Sequence, residues 1–149
     1  MIALDASVLI AYLNGAHVHH ARAVGIIKAG LPGELLIHSL TLAEVLVGAV
    51  AAGQETQVRQ TLQAIGLRVA DRPEDEAAQL ARLRVTSKLK LPDCCVLATA
   101  RQLGAWLATF DQKLASAARE LGIKVAGDAH AETASPEADD VAAQTRPPG

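Results

Sequence analysis

Short apolar runs alternate along this chain with longer segments whose apolar residues recur at helical spacing. Short runs of this kind are typical of buried strands, whereas the longer segments predict amphipathic helices. The pattern predicts strands near residues 2–5, 35–39, 67–70, 105–109 and 123–125, with helices in the intervals. Strands that alternate with helices indicate βαβ units, so we predict an α/β fold.

The periodic pattern stops near residue 126. The remaining segment, 127–149, has five acidic residues, three prolines and no periodicity. Segments of this composition do not bury enough apolar surface to fold. We therefore predict one folded domain over residues 1–126 and an acidic, disordered tail over 127–149.

Composition limits the choice of function classes. Half of the 149 residues are hydrophobic, but Phe, Trp and Tyr occur once each. The core must therefore consist of Ala, Val, Leu and Ile. Aromatic platforms on which RNA bases stack are not expected. The two cysteines are adjacent and no signal-like run precedes the first strand, which favours a reducing cytoplasm. No apolar run approaches the roughly 20 residues that a membrane span needs, so we expect no membrane association.

Four acidic residues occur where apolar runs end or where helices begin. Asp5 follows the first strand run, and Asp111 follows the fourth. Glu44 lies in the first turn of a predicted helix, and Asp93 follows a proline that suits a helix start. Because ligands of an open parallel sheet bind outside the carboxyl ends of its strands, these acids can face one crevice.

Each acid also has a simpler interpretation. Thr41 and Glu44 match a capping box, in which each side chain bonds the backbone of the other residue. Asp5, Asp93 and Asp111 could each be an ordinary helix N-cap. These alternatives stay open for each residue alone, but four acids at the same edge favour a shared site.

Carboxylates that meet in one site raise one another's pKa and destabilise the fold unless a cation neutralises them. A ligand set made only of oxygen suits Mg²⁺ or Mn²⁺, whereas Zn²⁺ would normally use Cys or His. One or two such ions typically act on phosphate esters, where they orient the phosphate and help to ionise water. The acids therefore predict a divalent-metal site for phosphate chemistry.

Four segments in this order carry a family resemblance: Leu4-Asp5-Ala6-Ser7, Thr41-Leu42-Ala43-Glu44, Leu91-Pro92-Asp93-Cys94-Cys95-Val96-Leu97-Ala98-Thr99-Ala100 and Thr109-Phe110-Asp111-Gln112-Lys113-Leu114. Together they resemble the PIN-domain family of nucleases and, more narrowly, the VapC-type toxins of bacterial toxin–antitoxin pairs. The resemblance covers residues 1 to about 126. It implies a three-layer α/β/α sandwich with a small central parallel sheet, a divalent-metal endoribonuclease, a homodimer and a cognate VapB-type antitoxin.

The resemblance also implies roles for individual residues. Asp5, Glu44, Asp93 and Asp111 would form the metal-binding and catalytic set. The Ser7 and Thr109 hydroxyls would support it by orienting a neighbouring carboxylate or a water. Alternatively, Ser7 is a helix-capping hydroxyl and Thr109 an ordinary β-branched strand residue. Cys94-Cys95 departs from the small or apolar residues of similar proteins, but a buried thiol behaves as a small hydrophobe, so the role of Asp93 is unaffected.

The charge balance differs between the two parts of the chain. Residues 1–126 hold 13 Lys and Arg against 11 Asp and Glu, whereas the tail holds one Arg against five acids. The densest basic group is Arg82, Arg84, Lys88 and Lys90, just before Asp93. It could steer an RNA backbone toward the acids, or it could be a solvated helix face.

The histidines of His17-Val18-His19-His20 have no companion Cys or His pair at metal-ligand spacing. They follow Asn14-Gly15, which indicates a turn into a surface helix, although contact with RNA phosphate stays open.

The expected activity is hydrolysis of RNA phosphodiester bonds. One alternative is a non-catalytic RNA- or antitoxin-binding module on the same fold. Another is a phosphatase of the haloacid-dehalogenase kind, in which Asp5 would be a covalent nucleophile. That class expects a second Asp where this chain has Ser7.

Overall fold

The computed structural model describes residues 1–127, so the predicted tail lies outside the described residues except for Gly127. The elements are, in chain order, β1 (Ile2–Leu4), α1 (Ala6–Leu13), α2 (His20–Gly30), β2 (Leu35–Ile37), α3 (Ser39–Ala51), α4 (Glu55–Ala64), β3 (Leu67–Val69), α5 (Glu76–Ser87), α6 (Leu91–Leu103), β4 (Trp106–Ala108) and α7 (Gln112–Glu120).

The strands form a parallel sheet in the order β3-β2-β1-β4. The chain adds β2 and β3 on one side of β1 and then returns to place β4 on the other side. The gap between β1 and β4 is therefore the topological switch point, where ligands of open α/β sheets bind. The predicted strand at 123–125 is wrong in extent, because Val125 makes only an isolated bridge to Leu107.

Alternate strand residues point to opposite faces of the sheet and supply two separate cores. On one face, Ala3 and Leu107 pack against α5, α6 and α7. On the other face, Leu4 and Ala108 join the core that α1 and α2 cover. Helices therefore cover both faces, and the predicted three-layer α/β/α sandwich with a small parallel sheet is confirmed.

The lengths of the helices can be compared with the length that a membrane span needs. The longest helices of residues 1–127 have 13 residues. In this part of the chain, no helix is long and apolar enough to cross a bilayer.

Candidate active site

Asp5 lies directly after β1, at the switch point of the sheet. It occupies the N-cap position of α1, but its side chain makes no capping hydrogen bond. Instead, Oδ2 accepts hydrogen bonds from the Ser7 hydroxyl at 2.8 Å and from the Thr109 hydroxyl at 2.7 Å. Within residues 1–127 no donor bonds Oδ1, although Asp5 is only 8% exposed. One oxygen is thus held by the protein and the other is available to a ligand.

The same two hydroxyls join the end of β1 to the end of β4. Ser7 Oγ accepts a hydrogen bond from the Phe110 amide at 3.0 Å, and Thr109 Oγ1 accepts one from the Asp111 amide at 3.0 Å. Each hydroxyl therefore accepts from backbone and donates to the same carboxylate. This arrangement restricts the rotamer of Asp5, as supporting groups do around metal ligands.

Glu44 has a different helix position from the one predicted. α3 begins at Ser39, and its N-cap is His38, whose ring nitrogen Nδ1 accepts from the Leu40 amide at 3.1 Å. The predicted capping box of Thr41 and Glu44 is therefore wrong, since Glu44 lies in the second turn. α3 starts earlier than predicted because it follows the buried strand β2 after a single residue, His38. Glu44 has no capping function that would explain its presence.

The other two acids occupy the beginnings of α6 and α7. Asp93 lies in the first turn of α6, whose N-cap is Lys90, so it is not an N-cap. Asp111 is the N-cap of α7, and its Oδ1 accepts from the amides of Lys113 at 2.9 Å and Leu114 at 3.1 Å. For Asp111 the N-cap interpretation holds, and the bonded oxygen leaves Oδ2 for a further contact.

These acids lie near enough for the charge of one to affect the pKa of another. Burial raises the pKa of Glu44, because nearby protein atoms displace part of the water around its carboxyl, and the charges of Asp5 and Asp93 raise it further. Burial also raises the pKa of Asp93, with additional increases from Asp5 and Asp111 and a decrease from Lys90. The structure thus brings together four acids from four distant segments.

The donor chemistry of the four acids fits a hard divalent cation. All four offer carboxylate oxygens, and the salt bridges of residues 1–127 use other acids, namely Glu34, Glu55 and Glu76. In the same residues, however, no three His, Cys, Asp or Glu side chains stand close enough together to hold an ion directly. Mg²⁺ keeps several waters and needs only one or two direct carboxylates, so the wider spacing still fits such an ion.

The predicted basic group lies on α5 and at the start of α6. Arg82 and Arg84 are exposed on α5, Lys88 is its left-handed C-cap, and Lys90 is exposed at the start of α6. Of the four, Lys90 is the one whose charge acts on Asp93.

A cluster of ring side chains next to Asp111 was not predicted from the sequence. Phe110 contacts the ring of His19, with 4.9 Å between ring centroids, and the guanidinium carbon of Arg22 lies 5.0 Å from the Phe110 centroid. Phe110 is about 90 residues from the other two, so no local pattern predicts the contact. The one feature of the sequence that could have indicated a role for Phe110 is its position between Thr109 and Asp111.

Comparisons with known proteins agree with the observed fold. The model of the PIN domain family matches residues 2–120. A toxin–antitoxin complex from Klebsiella pneumoniae contains a chain that is 30% identical, with a TM-score of 0.67 over 78% of this chain and 91% of that one. The protein PAE2754 from Pyrobaculum aerophilum is 21% identical, with a TM-score of 0.55 over 78% of this chain and 84% of that one, and shares the fold. No curated protein sequence matches this chain.

Proposed function

Because this chain belongs to the PIN domain family, we propose that it is a divalent-metal-dependent endoribonuclease that acts as the toxin of a toxin–antitoxin pair. The observation that carries the proposal is the placement of four acids from separate segments near the switch point of the sheet, where neighbouring acids raise the pKa of Glu44 and of Asp93. The 30% identity to a chain of a toxin–antitoxin complex supports the biological role. A cytoplasmic location belongs to the same proposal, and the two buried free cysteines suit it.

In this proposal Asp5, Glu44, Asp93 and Asp111 would hold one or two Mg²⁺ or Mn²⁺ ions, partly through bound water. When bound, the metal supplies positive charge that polarises the scissile phosphate and makes water a better nucleophile. Ser7 and Thr109 hold Asp5 Oδ2, so that Oδ1 keeps one direction toward the crevice. The carboxylates would otherwise repel the RNA backbone, so the cation should strengthen RNA binding without being required for it.

The basic group of Arg82, Arg84, Lys88 and Lys90 is assigned in this proposal to the RNA backbone. Its residues are exposed, and Lys90 is close enough to Asp93 to affect its pKa. Charge on such a surface attracts phosphates in a salt-dependent manner.

A partner surface is proposed on α3. Leu40, Val47 and Val50 are 43%, 68% and 57% exposed, and they lie on the side of α3 opposite the buried Val45 and Ala49. An exposed apolar stripe on a helix is typical of an interface. We assign this stripe to a homodimer and the acidic crevice to the antitoxin. Val47→Glu should convert a dimer to a monomer in light scattering, and an unchanged mass would contradict the assignment.

The test of the activity is cleavage of total cellular RNA by antitoxin-free protein in Mg²⁺ or Mn²⁺, with an EDTA control and mapping of new 5′ ends. Asp5→Asn and Asp93→Asn should abolish discrete cuts. Glu120→Gln is the matched control, since it removes an exposed acid at the opposite end of the helix that Asp111 caps.

Equal cutting by all variants would refute the assigned site. RNA binding without metal-dependent cleavage would instead favour the non-catalytic binding module. Circular dichroism of each variant establishes that loss of cutting is not loss of fold.

A further inference from the structure

A ring cluster lies beside the acids and has no role in the proposed hydrolysis. It consists of His17, His19, Arg22 and Phe110, and it contains the single phenylalanine of the chain and two of the five histidines. The His17 and His19 ring centroids are 5.7 Å apart with planes tilted by 43°, and His19 and Phe110 are 4.9 Å apart with a tilt of 38°. In a chain with so few aromatic residues, this concentration of rings is unusual.

The backbone connects the ring cluster to the candidate active site. Phe110 lies between Thr109 and Asp111, and its amide donates to Ser7 Oγ at 3.0 Å. Ser7 in turn donates to Asp5 Oδ2 at 2.8 Å. Hydrogen bonds therefore fix the backbone of Phe110 beside residues of the candidate site, and the ring cluster begins at this residue.

The loop that carries the histidines is held in place by its own hydrogen bonds. Asn14 Oδ1 accepts from the Ala16 amide at 3.0 Å, and His17 Nδ1 accepts from the His19 amide at 3.0 Å. The His20 ring nitrogen Nδ1 lies 2.9 Å from the Ala11 carbonyl oxygen and ties the loop to α1. A surface that is already ordered loses less entropy when it binds a ligand.

The ring cluster is accessible from solvent. Arg22 is exposed, and His17, His19 and Phe110 are half-buried. Val18, between the two histidines, is 85% exposed and extends the apolar surface of the loop. Phe110 also packs against the core that α1 and α2 cover, but core packing does not require a cation 5.0 Å from its ring centroid.

We propose that the ring cluster binds an unpaired nucleotide of single-stranded RNA next to the scissile phosphate. The base stacks on the histidine rings, and Arg22 contacts the phosphate backbone. Stacking on aromatic and histidine side chains is the usual way in which proteins hold bases of single strands, and duplex bases are not available for it. This inference rests on the proposed nuclease function and names the residues that would hold a nucleotide of its substrate.

The experiment uses the full-length protein and a short RNA with one 2-aminopurine, whose fluorescence falls when the base stacks. Binding is titrated in EDTA, so it does not depend on cleavage, and KM and kcat are measured separately in Mn²⁺. The variants are His19→Ala, His19→Phe and Arg22→Ala. Arg59→Ala is the matched control, because it removes an exposed arginine from α4.

We expect His19→Ala to weaken binding roughly 5- to 150-fold, to raise KM more than it lowers kcat and to remove the fluorescence change, because stacking contributes about 1–3 kcal/mol per base. His19→Phe should restore all three. Arg22→Ala should reduce the slope of log affinity against log salt by about 0.7, the value for one phosphate of a single strand. Arg59→Ala should behave as the wild type, and annealing the RNA to its complement should weaken binding.

The proposal is overturned if His19→Ala and Arg22→Ala bind RNA with the affinity, fluorescence change and salt slope of the wild type, or if duplex RNA binds equally well. If Asp5→Asn still abolishes cleavage in that case, the nuclease function stands without this subsite. If the wild type shows the stacking signal but never cleaves RNA, the nuclease proposal fails and the nucleotide-binding surface stands.

Discussion

The Thr109 hydroxyl provides the sharpest test of how this site is held together. Thr109→Val keeps the shape of the side chain and removes the hydroxyl, which donates to Asp5 Oδ2 at 2.7 Å and accepts from the Asp111 amide at 3.0 Å. Both the hydroxyl and the carboxylate are largely buried, since Thr109 is 7% and Asp5 8% exposed. Water cannot easily replace the lost contacts.

The size of the effect follows from the two bonds. A hydrogen bond to a charged group contributes about 1.5–3 kcal/mol, and a neutral one about 0.5–1.5 kcal/mol. Ser7 still donates to Asp5 in the variant, and the Asp111 amide belongs to an exposed residue, so part of the loss is recovered. We expect Thr109→Val to lower the free energy of unfolding by about 2–4 kcal/mol.

Two other buried threonines are matched controls in urea denaturation of the metal-free protein at pH 7. Thr99 donates only to the Cys95 carbonyl one helical turn earlier, at 2.9 Å, so Thr99→Val should cost less than about 1 kcal/mol. The Thr41 hydroxyl is buried without a hydrogen-bond partner in residues 1–127. Thr41→Val should therefore raise stability by up to about 1 kcal/mol, since it removes an unsatisfied polar group.

A double-mutant cycle decides whether the carboxylate causes the effect. In an Asp5→Asn background, Thr109 faces a neutral partner, so its removal should cost about 1 kcal/mol less. Equal losses for Thr109→Val and Thr99→Val, or the same loss with Asp5 and with Asn at position 5, would refute the reasoning.

The remaining predictions concern packing, pH and thiol reactivity. Gly30→Ala should destabilise the protein by about 1–3 kcal/mol, because a Cβ would stand 2.6 Å from Leu35 Cδ2. Gly25→Ala in the same helix places a Cβ with nothing within 4 Å and should stabilise the protein by about 0.5–1 kcal/mol. Thermal unfolding compares the two variants, and equal effects would contradict the packing. Glu44→Gln should stabilise the metal-free protein at pH 7 only slightly, by less than about 0.5 kcal/mol, because Glu44 is exposed and water screens the repulsion. Since the pKa of Glu44 is higher in the folded state, the folded protein takes up the proton more readily. The stability that ionised Glu44 costs at neutral pH should therefore be regained as the pH falls through that pKa to below the ordinary 4.5. A stabilisation by Glu44→Gln that grows in acid would be contrary to this. Burial raises the pKa of Cys95 to about 11, so a thiol reagent at pH 8 should label the unfolded protein but not the native one, and rapid native labelling would argue against the burial.

Local sequence was enough to predict most of the elements and the positions of Asp5, Asp93 and Asp111 along them. Strands near residues 2–5 and 35–39 were predictable because burial on both faces requires continuous apolar runs. Asp5 could be placed after β1 for the same reason. These features depend on residues that are neighbours along the chain, so the local sequence contains the information that determines them.

Only the tertiary structure decided what each acid contacts. Whether Asp5 caps α1 or accepts from Ser7 and Thr109 depends on β4 lying beside β1, and α3 begins at Ser39, not at Thr41, because of where β2 ends. The meeting of His19 with Phe110 has the same origin. Strand order around the switch point is set by the packing of whole helices on two cores, and local periodicity does not encode contacts between residues about 100 positions apart.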